Sequence, residues 1–259
     1  MRKTSALLFV PALALGMTAF AAVPAHAADE WSWQGKLEQL NKSGASGTAM
    51  VSVKGDQMTV DITAEGLAKT FNDGAYPHVS HIHIDGMGMC PTPDADEDGD
   101  GVVSTPEGHM AYGEIGTTLT SKGDTSAKSA LDVTRPLGQG STVDYHRTFT
   151  INDATLASLK NDSAVVVIHG LDPSTLSKEA QKKDSAPLTK DLPLAATAPA
   201  LCGALHTSQM SMPNGAAGTG GGTAQGPDAG LLAGGSMLLA AGAALVARRR
   251  VVLKRASSR

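Results

Sequence analysis

The segment Val79-Ser80-His81-Ile82-His83-Ile84 places two histidines and two isoleucines in strict alternation. Residues two apart on a strand share a face, so His81 and His83 point together while Ile82 and Ile84 point the other way into a core. Two imidazoles side by side on a rigid strand form a chelating pair suited to copper or zinc. The competing reading is two solvated histidines on the polar face of a half-buried strand. Val165-Val166-Val167-Ile168-His169 sets a further histidine at the end of an apolar strand, and His109 lies among loop residues.

Working outward, the pattern is that of an all-β domain. Thr48–Val53 and Met58–Ala64 flank Lys54-Gly55-Asp56-Gln57 and read as a hairpin. Trp31–Leu40, His78–Ile84, Ser141–Ile151, Ser163–His169 and Ala198–Leu205 are further strand candidates. Asp153–Lys160 opens on a cap residue and carries helical spacing, and Pro173–Lys183 is a second short helix candidate. Short strands, two short helices and many turn residues predict a Greek-key β-sandwich or barrel over residues 28–206.

Both termini read as addresses. Met1–Ser5 is basic, Ala6–Ala22 is apolar and Ala25-His26-Ala27 is a small-x-small cleavage site, so residues 1–27 read as a secretory signal peptide. Residues 207–228 are glycine-rich and read as a linker. Ala229–Ala247 holds no charge and as a helix would span about 28 Å, enough for one transmembrane pass. Arg248-Arg249-Arg250 opens a basic tail, 248–259, which the positive-inside rule assigns to the cytoplasm. The expected layout is a type I, single-pass membrane protein with its domain outside, similar to the C-terminally anchored surface proteins of Gram-positive cells. Between Ala28 and Asp228 there are 13 basic and 25 acidic residues, a net charge of −12, which argues against nucleic acid as a partner. No feature names a protein partner.

Two motifs remain. Cys90 and Cys202 are the only cysteines, and an even count in an exported chain favours a disulfide over two separate buried thiols. Asp96-Glu97-Asp98-Gly99-Asp100-Gly101-Val102-Val103-Ser104-Thr105-Pro106-Glu107 fits an EF-hand calcium loop. Asp96, Asp98, Asp100, Ser104 and Glu107 fall at ligand positions, Val102 offers its carbonyl, and Gly101 supplies the turn. Pro91, Pro93, Pro106 and Gly108 lead us to expect this loop without long flanking helices. Met87-Gly88-Met89 and Met210-Ser211-Met212 are weaker hints of Cu(I) affinity, set against methionine as ordinary filler.

Gly66-Leu67, His81-Ile82-His83, Asp85-Gly86, Cys90, Gly113-Glu114-Ile115-Gly116, Val165–His169 and Leu201-Cys202-Gly203 follow one another in an order that resembles the copper–zinc superoxide dismutase family. The stretch from Val60 to Ile84 is also similar to the chordin-type CHRD domain, which leaves the cysteine pair unexplained. The first resemblance implies a Greek-key barrel holding copper through His81, His83 and His169, with His109 as fourth ligand and superoxide as the small anionic substrate. The sequence departs from that family in two places. Only His109 and Glu114 remain for the zinc subsite, so no zinc is expected, and Pro199 stands where the family carries its anion-guiding arginine.

Overall fold

Strand β2 (Ser46–Lys54) turns into β3 (Gln57–Glu65) through Gly55-Asp56, and Gly55 adopts φ +63°, the left-handed conformation that a two-residue hairpin turn demands. Along β3 the buried residues are Met58, Val60, Ile62 and Ala64, and along β2 they are Ala49, Val51 and Val53. This is the period-2 alternation that one buried face imposes. Strand β1 (Glu30–Gln39) pairs with β2 and sends Trp33 and Leu37 into the same core.

The computed structural model describes residues 30–208, all within one compact unit. The remaining strands of its main sheet are β4 (Ser80–Asp85), β5 (Gly113–Thr118), β6 (Thr142–Thr150), β7 (Val165–His169), β8 (Pro199–Ala204) and β9 (His206–Thr207). These strands form one curled antiparallel sheet of nine strands, in the order β6-β3-β2-β1-β8-β7-β4-β5, with β9 paired to β1. The domain is mostly β with few helices. Among the described residues no helix is long and apolar enough to cross a membrane. The expected signal peptide of residues 1–27, most of the expected linker, the expected span at 229–247 and the expected tail at 248–259 lie outside the described residues.

The helices differ from expectation in instructive ways. Helix α2 (Asp153–Lys160) forms as read, but its cap is Asn152, whose Oδ1 accepts from the Thr155 N–H, while Asp153 occupies the first turn. Residues 173–183 form two separate 3-10 turns, Pro173–Thr175 and Ala180–Lys182, because Leu176 is extended (ψ 159°) and interrupts the run. Helix α1 (Thr105–Tyr112) overlaps the end of the acidic loop, where no helix was expected. Pro106 lies in its first turn, where a missing N–H costs nothing, and Ser104 and Glu107 close a capping box. Gly108 is a packing requirement: a Cβ there would lie 2.5 Å from the Tyr112 ring.

The β8-β7-β4 part of the sheet is buried on both faces. One face carries Ile82, Val166, Ile168 and Leu201 into the main core. The other carries Val165, Val167 and Cys202, packed with Tyr112 from α1. The Cys90–Cys202 disulfide, Cα atoms 5.8 Å apart across a sequence separation of 112, ties the loop after β4 to β8. Closing a loop of that length stabilises by about 4–5 kcal/mol in the chain-entropy account.

Candidate metal centre

His81 and His83 lie on the second face, opposite Val167 and Val165 of β7, and His169 ends β7 beside them. The competing reading, two solvated histidines on a polar face, is corrected by the fold. His81, His83 and His169 are 3, 2 and 3% exposed, because α1 and the loops around residues 113 and 130 close over them. One ring nitrogen from each histidine lies within 4.8 Å of one from each of the others.

The second nitrogen of every ring faces a backbone carbonyl. His81 Nε2 lies 3.0 Å from Ala130 O, His83 Nδ1 2.8 Å from Gly113 O, and His169 Nδ1 2.6 Å from Thr197 O. A carbonyl only accepts, so each of these nitrogens carries the proton. In the neutral ring that leaves His81 Nδ1, His83 Nε2 and His169 Nε2 with bare lone pairs. His81 Nδ1 and His169 Nε2 then face each other at 3.1 Å with no proton between them, and His83 Nε2 is buried without a hydrogen-bond partner. Burial also keeps the rings uncharged. It holds His81 well below its ordinary pKa, assisted by the neighbouring His169 and His83, and pushes His83 down to about 3 and His169 to about 4. Three buried, neutral imidazoles brought together in this way could hold a metal ion, and carbonyl-anchored second nitrogens are how metal-binding histidines are oriented.

Several neighbours carried no sequence signal. Tyr112 lies 4.5 Å from the His83 ring, centroid to centroid, and donates its hydroxyl hydrogen to Thr105 O. Thr105 Oγ1 in turn donates to Thr197 O at 2.6 Å, the same oxygen that accepts from His169. His78, fully buried, sets its ring nitrogens against His169 O and Ala68 O. A small apolar cavity of about 170 Å³ opens beside His81 and His169.

His109 stands outside the three-histidine group. It sits on α1, half-exposed, with Nε2 3.0 Å from Glu114 Oε1. Met87 and Met89 are exposed, and their backbone N–H groups donate to Met110 O and Ala111 O; Met210 and Met212 lie outside the described residues.

The acidic loop forms a second group. Asp96, Asp98 and Glu107 each bring a carboxylate oxygen within 4.8 Å of the others. The backbone organises them: Gly99 and Gly101 N–H donate to Asp96, and Glu97 and Asp98 N–H donate to Glu107 Oε1. Gly101 takes φ +89°, the turn its position requires. Asp100 and Ser104 are engaged elsewhere. Lys183 Nζ lies 2.6 Å from Asp98 Oδ2 and 2.8 Å from Asp100 Oδ2, and the Ser104 hydroxyl donates to Glu107 Oε2. Val102 is buried and its N–H donates to Asp100 Oδ1. Asn41 clamps the loop to the sheet, accepting from Val103 N–H and donating to Val103 O and Pro199 O. The paired carboxylates of Asp100 and Asp98 hold the Lys183 ammonium well above its ordinary pKa, and Lys183 holds Asp98 below its own.

No protein-family model matches the chain, and no curated protein matches it significantly.

Proposed function

We propose that the chain is an exported, membrane-anchored surface protein whose β domain is built on a superoxide dismutase-like Greek-key barrel. It holds copper at His81, His83 and His169, and calcium in the loop Asp96–Glu107. One observation carries the copper reading. Three buried imidazoles with their protons turned away to carbonyls leave three lone pairs facing one another, an arrangement that repels itself until a cation enters. Copper suits three imidazole nitrogens and, when bound, supplies one-electron exchange. The chain's own part is to hold the rings in one tautomer and exclude water from them. The strand order, with β6 beside β3, β1 beside β8 and β7 beside β4, supports the barrel topology that the resemblance implies. The anchor rests on the charge-free run at 229–247 and the arginines that follow it.

The dismutase half of the resemblance has no comparable support. Pro199 is buried, and the two arginines among the described residues are engaged elsewhere, Arg135 with Asp132 and Arg147 with Thr120 and Gly123. We therefore read the domain as a copper holder in which calcium rigidifies one loop.

Metal analysis of the purified full-length protein after copper loading and desalting tests this reading. One copper per chain is expected, lost in a His81→Gln/His83→Gln variant, which fills the buried space better than alanine would. Equal copper retention by the variant would refute the site.

A further inference from the structure

The loop that follows β4 alternates Gly86-Met87-Gly88-Met89. Its glycines face inward because nothing larger fits there. A Cβ on Gly86 would lie 2.4 Å from Gly113 N, and one on Gly88, at φ +71°, 2.9 Å from Ser163 Cα. The loop is thereby wedged between the start of β5 and the turn before β7, and the two methionines are left on its outer side. Two backbone bonds fix it to α1: Met87 N–H donates to Met110 O and Met89 N–H to Ala111 O, each at 3.3 Å. Those bonds bring a third methionine, Met110, beside the pair.

Met87, Met89 and Met110 are 65, 51 and 77% exposed. Methionine ordinarily fills gaps in a core, the part that fully buried Met58 plays here. Five methionines lie among the described residues; three gather in this patch, and Met50 stands apart on the outer side of β2. A thioether is uncharged and only a weak hydrogen-bond acceptor, so water rewards its exposure little. What it does bind is a soft cation, Cu(I) among the biological metals. Methionine side chains are unbranched and flexible, so three whose backbones are hydrogen-bonded neighbours can turn their sulfurs to one ion.

Three neutral thioethers leave the charge of a bound cation uncompensated, and the surrounding sequence supplies the opposite sign. No lysine or arginine occurs between Lys69 and Lys122, whereas nine aspartates and glutamates do. Two of these flank the patch. Asp85, exposed, directly precedes Gly86, and Glu114, exposed and paired with His109, directly follows Gly113. Such a field raises the local concentration of cations and repels anions.

We propose that Met87, Met89 and Met110 form a surface site for a soft monovalent cation, with Cu(I) the ion it fits. The site differs from the histidine centre in donor type and in exposure, and it stands whether or not that centre holds copper.

The test uses the full chain with its methionine methyl groups labelled with carbon-13, each resonance assigned by a single leucine substitution. Silver(I), a soft monovalent ion that does not change oxidation state in air, is added and the methyl resonances are followed. Those of Met87, Met89 and Met110 are expected to shift together along one binding curve, while Met50 stays in place over the same range. Met110→Leu removes one sulfur from an exposed position, and it should weaken silver binding at Met87 and Met89 by about tenfold or more. Zinc(II), a harder ion of higher charge, should leave all three resonances where they are. The readout is local to each methyl group, so silver taken up by the histidines is told apart from silver taken up here. The proposal is overturned if the three resonances titrate separately, or if Met50 follows the same curve. It is equally overturned if Met110→Leu leaves the curve of the other two unchanged, or if zinc moves them as silver does.

Discussion

The histidine centre and the acidic loop are two candidate cation sites on one chain, and they are built by opposite means. The histidines are at most 3% exposed and uncharged, with their protons parked on carbonyls of three different segments. The carboxylates of the loop run from exposed Asp98 through half-buried Asp96 and Glu107 to buried Asp100, and are arranged largely by N–H groups of the same short stretch. The first site depends on burial, which disfavours protonation and leaves lone pairs for a metal. The second depends on charge, and the chain itself supplies one cation to it through Lys183. A buried site is selective by donor type and geometry, while an exposed one is governed by charge count and loop rigidity.

Acid should separate the two most strongly. In the metal-free protein the histidine pKa values lie at about 3 and 4 for His83 and His169, against 6.5 unfolded. The unfolded chain therefore binds more protons between those limits, and stability falls as pH drops from about 6.5 towards 4, by several kcal/mol in sum. The Asp98 pKa is depressed from 3.8 by its hydrogen bond to Lys183, so the loop's contribution persists above that value and is lost only as pH falls below it. Denaturant unfolding of metal-free protein across this range should show the first loss well before the second. Stability unchanged between about pH 7 and 5 would contradict the buried, neutral histidines.

Thr105 joins the two regions, since it follows the capping Ser104 of the loop and donates to the oxygen that orients His169. Thr105→Val should weaken copper binding by about tenfold, the usual size of a lost orienting contact, and shift the copper electron paramagnetic resonance spectrum. Thr105→Ser should restore both. A valine variant with native spectrum and affinity would remove the link.

Calcium should raise the melting temperature of the protein by mass action, and Glu107→Gln should abolish most of that rise, because position 12 of such a loop gives two oxygens. Glu107 also closes the α1 cap, so the variant is compared with and without calcium; an undiminished calcium-dependent shift would leave the loop as a solvated acidic excursion. The smallest effect concerns Lys183, whose ammonium competes for Asp98 and Asp100. Lys183→Met should tighten calcium binding by a factor of about 2–5, since the ammonium it removes is itself partly exposed and screened. Calorimetry showing weaker binding would mean that Lys183 supports the loop instead of competing within it.

The strands were legible wherever one face met the core and the other met water. Met58, Val60, Ile62 and Ala64 announce β3 by their spacing, and Gly55 announces the turn before it. The His81/His83 pair, His169, the loop carboxylates and the cysteine pair were also legible, because each is a local pattern or a count. Helix α1 was hidden because Pro106 and Gly108 read as breakers, whereas one sits where an N–H is dispensable and the other where Tyr112 needs room.

What this sequence determines by itself is which residues share a strand face and which oxygens share a loop, since both follow from backbone periods of a few residues. What the tertiary structure alone decides is the environment of those residues. Burial of the histidine face comes from α1 and distant loops, and the tautomers come from the carbonyls of Gly113, Ala130 and Thr197. The separation of His109 from the other three histidines, and the arrival of Lys183 among the aspartates, join segments far apart in the chain. Backbone carbonyls exist at every position and carry no residue-type signal, so only the folded chain brings the right ones to the right rings.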